Sequence, residues 1–316
     1  MYRPLRILTA RPTPGEEAAT PHALYGVLEA SESSSVARWL ALVVPTIRRV
    51  WAEGKLPLLV GGTGMYLKAL MEGLAEVPEI PAEVRTRVRS SLPRRGRAGE
   101  GASCGKSTPH NAPLLTSPLR GEEIHASPTL HALLCEKDPI MAARLKPGDT
   151  QRILRALEVI EATGKSLDYF QRQPAALPLP EARFHLFMPE LPRAEIYRRI
   201  DARFLQMMEH GALEEVRALV AGEALAQAGE KLYASHTTYH VPRITHHASP
   251  LFKAHGVPEL IAHLSGDMTL EAAIAKAQQN TRNYAKRQGT WLRNQFPEAR
   301  RVASAKEIFA SIDGSS

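Results

Sequence analysis

The run GEGASCGKST at residues 99–108 ends in the Gly-Lys-Ser-Thr with which a phosphate-cradling loop closes. Such a loop has the form Gly-x-x-x-x-Gly-Lys-Ser/Thr, because backbone N–H groups wrap the phosphate while the lysine reaches its outer oxygens. Five residues before Gly105 stands Glu100, and Gly99 is one position too far. No strand-like run precedes it, and its flanks are rich in Gly, Pro and Ser. TGKSL at 163–167 has Val159 at the glycine position and a helical pattern in front. Neither run is a phosphate loop.

GGTG at 61–64 differs. It follows the apolar run LPLLV (56–60) and precedes the helical pattern MYLKALMEGL. Strand, glycine turn and helix together aim backbone N–H groups at the turn, which suits an anion. Gly61 and Gly62 permit close approach and Thr63 offers a hydroxyl; a tight turn with no ligand is the other reading. QRILRALEV puts Gln151, Arg152 and Arg155 on successive helical turns, either for phosphate contact or as a solvated basic face. NTRNYAKRQGTWLR interleaves Arg282, Lys286, Arg287 and Arg293 with Tyr284 and Trp291. That pattern suits RNA phosphates and bases, or an amphipathic helix with both aromatics in the core. Arg85, Arg87 and Arg89 form a further basic cluster. His236 and His240 have i, i+4 spacing, but Pro242 separates them from His246 and His247, and no metalloprotease-type glutamate accompanies them.

The elements that must position these residues follow from periodicity. Residues 35–54 read as a helix ending at Gly54, and Pro81 opens a second helix. LHALLCEKDPIMAARL reads as helical. So does DTQRILRALEVIEATG, with Asp149 suited to the N-cap and Gly164 to the stop. RAEIYRRIDARFLQMMEHGALEEVRALVAG reads as one or two helices broken near Gly211, and LEAAIAKAQQNTRNYAKRQGTWLRNQF as a long one. Residues 93–128 and 226–248 read as irregular insertions. LPLLV reads as a strand buried on both faces, joined by FHLFM (184–188) and LRILT. A parallel sheet with so few members is short of strands.

At 316 residues, 44% hydrophobic and 23% charged, the chain fits a globular protein of about two domains. No apolar run reaches the ~20 residues of a membrane span, and no secretory segment opens it. Cys104 and Cys135 make neither a disulfide framework nor a zinc cluster, so a cytoplasmic location is expected. The net charge of +7 and pI near 9.5 point to a polyanionic partner.

The motifs LLVGGTGMYLKAL, DPIMAARLKPGDTQRILRALEV, TGKSL, FKAHGVPEL and TRNYAKRQGTWLR, with TARP (9–12) and PHALYG (21–26), occur here in order. On them the chain resembles the tRNA dimethylallyltransferases from residue 1 to about 295. The resemblance implies transfer of a dimethylallyl group from dimethylallyl diphosphate to N6 of the adenine 3′ of the anticodon (position 37). It implies an α/β fold of P-loop NTPase, kinase-like type, with a core at 1–78 and 180–316. A helical tRNA-binding insertion domain at 79–179 would grip the anticodon stem-loop. Thr63 would lie beside the flipped adenine, Gly61, Gly62 and Thr63 near the diphosphate, and Lys253 at both diphosphate and tRNA. Arg85, Gln151, Arg152, Arg155, Lys286, Arg287, Gln288 and Arg293 would contact tRNA. The resemblance also implies Mg²⁺ as cofactor and a monomer.

The family's pattern opens with a strand, a phosphate loop, and a second strand ending in Asp-Ser-x-x, whose aspartate is the expected base. This sequence begins at MYRPLRILTARP and contains neither loop nor aspartate. The expectation is therefore an α/β core lacking its N-terminal strands and an impaired transferase. The alternative is a non-catalytic tRNA-binding remnant.

Overall fold

The computed structural model describes residues 1–32, 34–90, 128–229 and 250–313. The chain runs through α1 (Pro14–Ala19), α2 (Val36–Ala52), α3 (Gly64–Glu72), α4 (Ala82–Ser90), α5 (Pro128–Lys137), α6 (Pro139–Arg144) and α7 (Thr150–Thr163). It continues through α8 (Leu167–Gln171), β1 (Phe187–Pro189), α9 (Arg193–Glu209), α10 (Ala212–Gly229), a 3₁₀ turn at Pro250–Lys253 and α11 (Val257–Leu264). It closes with α12 (Leu270–Gln295), β2 (Arg300–Val302) and α13 (Ala305–Asp313). Two compact units result: Met1–Met71 with Pro178–Ser316, and Glu72–Leu177.

Local chemistry accounts for most helix ends. The side chains of Ser35, Asp138 and Thr269 accept hydrogen bonds from the N–H groups of Arg38, Met141 and Ala272, which would otherwise be orphaned. Asp149 occupies the N-cap position of α7 but makes no capping bond through its side chain. Gly164 stops α7 in the left-handed conformation, φ +69°, and its N–H reaches the Ile160 carbonyl. LHALLCEKDPIMAARL is two helices, not one. A residue before proline is pushed out of the helical region, and Asp138, at φ −142° and ψ 76°, makes the break between α5 and α6.

In the first unit one core gathers Leu5 and Leu8 with Phe204, Val216, Leu251, Phe252, Val257, Leu260, Ala273 and Ala277. A second packs Val43 and Ile47 of α2 against Leu70 of α3, Leu179 and Phe184. The other unit closes over Ile153, Leu157 and Val159 of α7 with Ile80, Val88, Leu130, Leu134 and Met141.

The sheet differs from expectation. Among the described residues it has two parallel strands, with Phe187 opposite Arg300 and Pro189 opposite Val302. FHLFM thus contributes a strand only from Phe187. LRILT forms turns, and LPLLV is not hydrogen-bonded into any sheet. Leu56, Leu58 and Val60 are 68%, 63% and 80% exposed, whereas Leu59 packs against the α2 core, so the run is covered on one side only. The insertion expected at 93–128 lies outside the described residues except for Pro128, the first residue of α5. Of that expected at 226–248, residues 226–229 belong to α10 and the rest lies outside the described residues.

Candidate functional site

Within the first unit, α12 is the element that joins the sequence motifs. Gln288 donates from Nε2 to the Gly62 carbonyl at 2.5 Å, across 226 residues of sequence. One helical turn on, the six-membered ring of Trp291 covers Gly64 so closely that a Cβ there would lie 1.9 Å from it. Another turn on, Gln295 accepts from Lys68 Nζ at 2.7 Å. Residues 288, 291 and 295 share one helical face, and the matching order 62, 64, 68 makes α3 run parallel to it. A Cβ at Gly62 would stand 1.7 Å from Gln288 Nε2 and would displace that side chain from its bond. Thr63, between Gly62 and Gly64, is exposed; its carbonyl accepts the Tyr66 N–H at 3.0 Å.

The preceding turns of α12 hold the KAHGVP segment. Lys253 ends the 3₁₀ turn and is exposed. His255 lies against the Tyr284 ring, centroid to centroid 4.6 Å. Burial lowers the imidazole pKa from its ordinary value; the Glu259 carboxylate opposes that and the Arg287 guanidinium reinforces it. Glu259 is buried and accepts from Asn280 Nδ2 at 2.7 Å. Gly256 turns at φ +90°, where a Cβ would stand 2.8 Å from the Phe204 ring. The spacing 280, 284, 287 is again a single face. One helix therefore registers two motifs that sequence alone could only name separately. Sequence reading missed the anchors Asn280, Glu259, His255 and Gln295, although 280/284/287 and 288/291/295 are visible spacings once a partner is known.

In the other unit, Gln151 and Arg152 are exposed near the start of α7 and Arg155 is half-buried. Arg87 pairs with Glu161 at 3.4 Å and Arg89 with the buried Glu158 at 3.2 Å. Those pairs make α4 antiparallel to α7 and leave Arg85 toward the far end of α7 from Arg152. The structure does not bring these two together.

Charge pairing separates the basic residues. Arg198 and Arg199 share Glu195, Arg144 and Arg172 share the buried Asp168, and Arg282 pairs with Asp201. Among the described residues no ion pair involves Arg85, Arg152, Arg155, Lys253, Lys286, Arg287 or Arg293. Arg293 lies along α12 beside Gly289.

TGKSL has its polar groups committed elsewhere. Thr163 donates to the Val159 carbonyl, Lys165 stands 4.4 Å over the Tyr169 ring, and Ser166 caps α8 while donating to Asp138. GEGASCGKST and the four histidines at 236–247 lie outside the described residues. Among the described residues no three His, Cys, Asp or Glu side chains come together as a metal site. Nor, among them, is any helix long and apolar enough to cross a membrane.

The family described as IPP transferase matches residues 1–295. A tRNA dimethylallyltransferase of Rhodospirillum centenum is 44% identical over 301 residues, covering 95% of this chain and 80% of the relative. One from Azorhizobium caulinodans is 42% identical over 298 residues, covering 94% and 79%. The crystal structure of a full-length tRNA isopentenylpyrophosphate transferase from Bacillus halodurans is similar at TM-score 0.54 and 26% identity, over 98% of this chain and 82% of that one. A tRNA isopentenylpyrophosphate transferase from Staphylococcus epidermidis shares the fold at TM-score 0.56 and 24% identity, over 100% and 88%.

Proposed function

We propose a prenyl transfer to tRNA, because the chain belongs to the IPP transferase family. The reaction is attack by N6 of the adenine 3′ of the anticodon on C1 of dimethylallyl diphosphate. A C–N bond forms, the C–O bond to diphosphate breaks, and N6 loses a proton. A base in the single-stranded anticodon loop leaves its stack cheaply, which makes its exocyclic amine accessible. The leaving diphosphate gains charge, so donors aimed at it carry the rate.

The observation that carries this reading is the register of the GGTG turn and KAHGVP along one helix. It supports Thr63 beside the reacting adenine, with Lys253 and the Gly61–Gly62 backbone toward the diphosphate. Lys286, Arg287 and Arg293 then receive tRNA phosphates from α12. Arg85, Gln151, Arg152 and Arg155 receive them in the helical unit, which we take as the stem-loop grip. We read the core as a variant of the P-loop kinase fold and the protein as a monomeric cytoplasmic enzyme using Mg²⁺.

A second reading, a tRNA-binding protein without turnover, draws on the sequence itself: no Gly-x-x-x-x-Gly-Lys-Ser/Thr loop occurs in the 316 residues. Incubating the 316-residue polypeptide with dimethylallyl diphosphate and unmodified tRNA separates the two. Prenyl transfer is expected at a rate lowered by more than the roughly 10²–10³ that losing a single transition-state donor costs. Stem-loop binding with no N6-dimethylallyl adenine formed would favour the second reading. Absence of both would overturn both.

A further inference from the structure

Gln288 stands in a run of basic residues that the family resemblance assigns to tRNA as a block. Its side chain is engaged elsewhere. Its Nε2 donates to the Gly62 carbonyl oxygen at 2.5 Å, and the space a Cβ at Gly62 would need is filled by that same Nε2 at 1.7 Å. Trp291 meets Gly64 in the same way, with three ring carbons at 1.9, 2.5 and 2.9 Å from the position a Cβ would take. Trp291 is itself held edge-to-face by Phe296, 5.9 Å between centroids. The two glycines flank Thr63, so the only non-glycine residue of the turn is held from both sides by one helix.

From this arrangement we infer that Gln288 and Trp291 are positioning residues that fix Thr63, and that tRNA contact from this stretch of α12 falls to Lys286, Arg287 and Arg293. The chemistry of the side chains agrees. A neutral amide tethered by one of its two N–H groups to a backbone carbonyl carries no charge to offer a phosphate, whereas the three cations make no ion pair among the described residues. The stripe 288, 291, 295 and the cations 286 and 293 also point to different sides of the helix, since residues one or two apart do not share a face. A displacement of about 1 Å at a reacting centre costs roughly a hundredfold in rate, so a residue that never touches substrate can still govern turnover.

The inference rests on the prenyl-transfer reading for its catalytic consequence but not for its structural one, and the test keeps them apart. Hydrogen exchange of the 316-residue chain is measured without RNA. Gln288→Ala and Gln288→Glu, the latter equal in length but without a donor, should each speed exchange of the Tyr66 amide by about fivefold, the usual worth of one hydrogen bond. Gly62→Ala alone should do the same by collision, while Gly62→Ala combined with Gln288→Ala should be no worse than either single change. In anticodon stem-loop binding, Gln288→Ala should leave the affinity at fixed salt unchanged. Where turnover is measurable, it should lower kcat with KM for tRNA held. Unchanged exchange, additive effects of the two substitutions, or a stem-loop affinity lowered by Gln288→Ala would each overturn the assignment. Loss of all turnover in the parent chain would sink the prenyl-transfer reading and leave the exchange result standing.

Discussion

His255 shows how one side chain can carry a pH dependence that its neighbours do not share. Its ring is half-buried against Tyr284, and burial lowers its pKa below 6.5, with the Arg287 charge adding to the effect and Glu259 opposing it. A histidine whose folded pKa is depressed favours the neutral form in the fold. Its contribution to stability is present above the unfolded value, about 6.5, and is lost as pH falls through the folded value. The thermal midpoint should therefore fall between pH 7 and pH 5, and His255→Gln should flatten that fall even if it lowers the midpoint at pH 7. An undiminished slope in the variant would remove His255 as its source. Glu195 cannot supply that slope. Hydrogen bonds from Arg198 and then Arg199 hold its carboxyl down at about 2, so it stays ionised throughout the window.

Between elements, the connection that ties the start of the chain to its body is a carboxylate in a cradle of amides. The N–H groups of Arg6, Ile7 and Leu8 all donate to Glu215 in the first turn of α10, at 2.5, 2.8 and 3.0 Å. Successive amides turned inward form a concavity that binds anions, and here a side chain of the same protein fills it. Glu215→Ala leaves three donors without an acceptor and should lower stability by about 2 kcal/mol, read as a lower urea midpoint at unchanged slope. A loss under about 0.5 kcal/mol would mean that water replaces the carboxylate freely. Neither this contact nor Gln288 with Gly62 was legible in the sequence, because each joins residues more than 200 positions apart. What was legible is what a segment encodes by itself. The 3.6-residue period, capping side chains and stopping glycines gave α2, α7 and α12, and the break at Gly211 separates α9 from α10. LPLLV was misread for the complementary reason. Its composition suits a strand, but burial on two faces is a property of neighbours, and Leu56, Leu58 and Val60 have none over their outer side. The site residues were nameable from motif and resemblance, whereas the helix that registers them emerged only from the packed structure.

Over the whole molecule, the net charge of +7 is not spread evenly in effect. A cation that faces its own carboxylate at close range presents little field to a partner, as with Arg48 beside Glu181 or Arg301 beside Glu190. Those with no ion pair among the described residues include the motif positions Arg85, Arg152, Arg155, Lys253, Lys286, Arg287 and Arg293, together with others outside the motifs such as Arg49, Arg203, Lys276 and Arg300. Binding to a phosphate chain releases condensed counterions in proportion to the phosphates neutralised, so the slope of log affinity against log salt counts contacts. Replacing Arg152 or Arg293 with alanine should weaken anticodon stem-loop binding and shallow that slope by about 0.7–1 per residue. Arg48→Ala removes the same formal charge from a one-to-one pair with Glu181, and should change neither slope nor affinity by a comparable amount. Equal losses from all three substitutions would mean that the RNA responds to total charge alone. A loss confined to Arg152 and Arg293 would mean that ion pairing within the protein determines which cations the RNA can use, because the surplus that binds is the part the fold leaves unpaired.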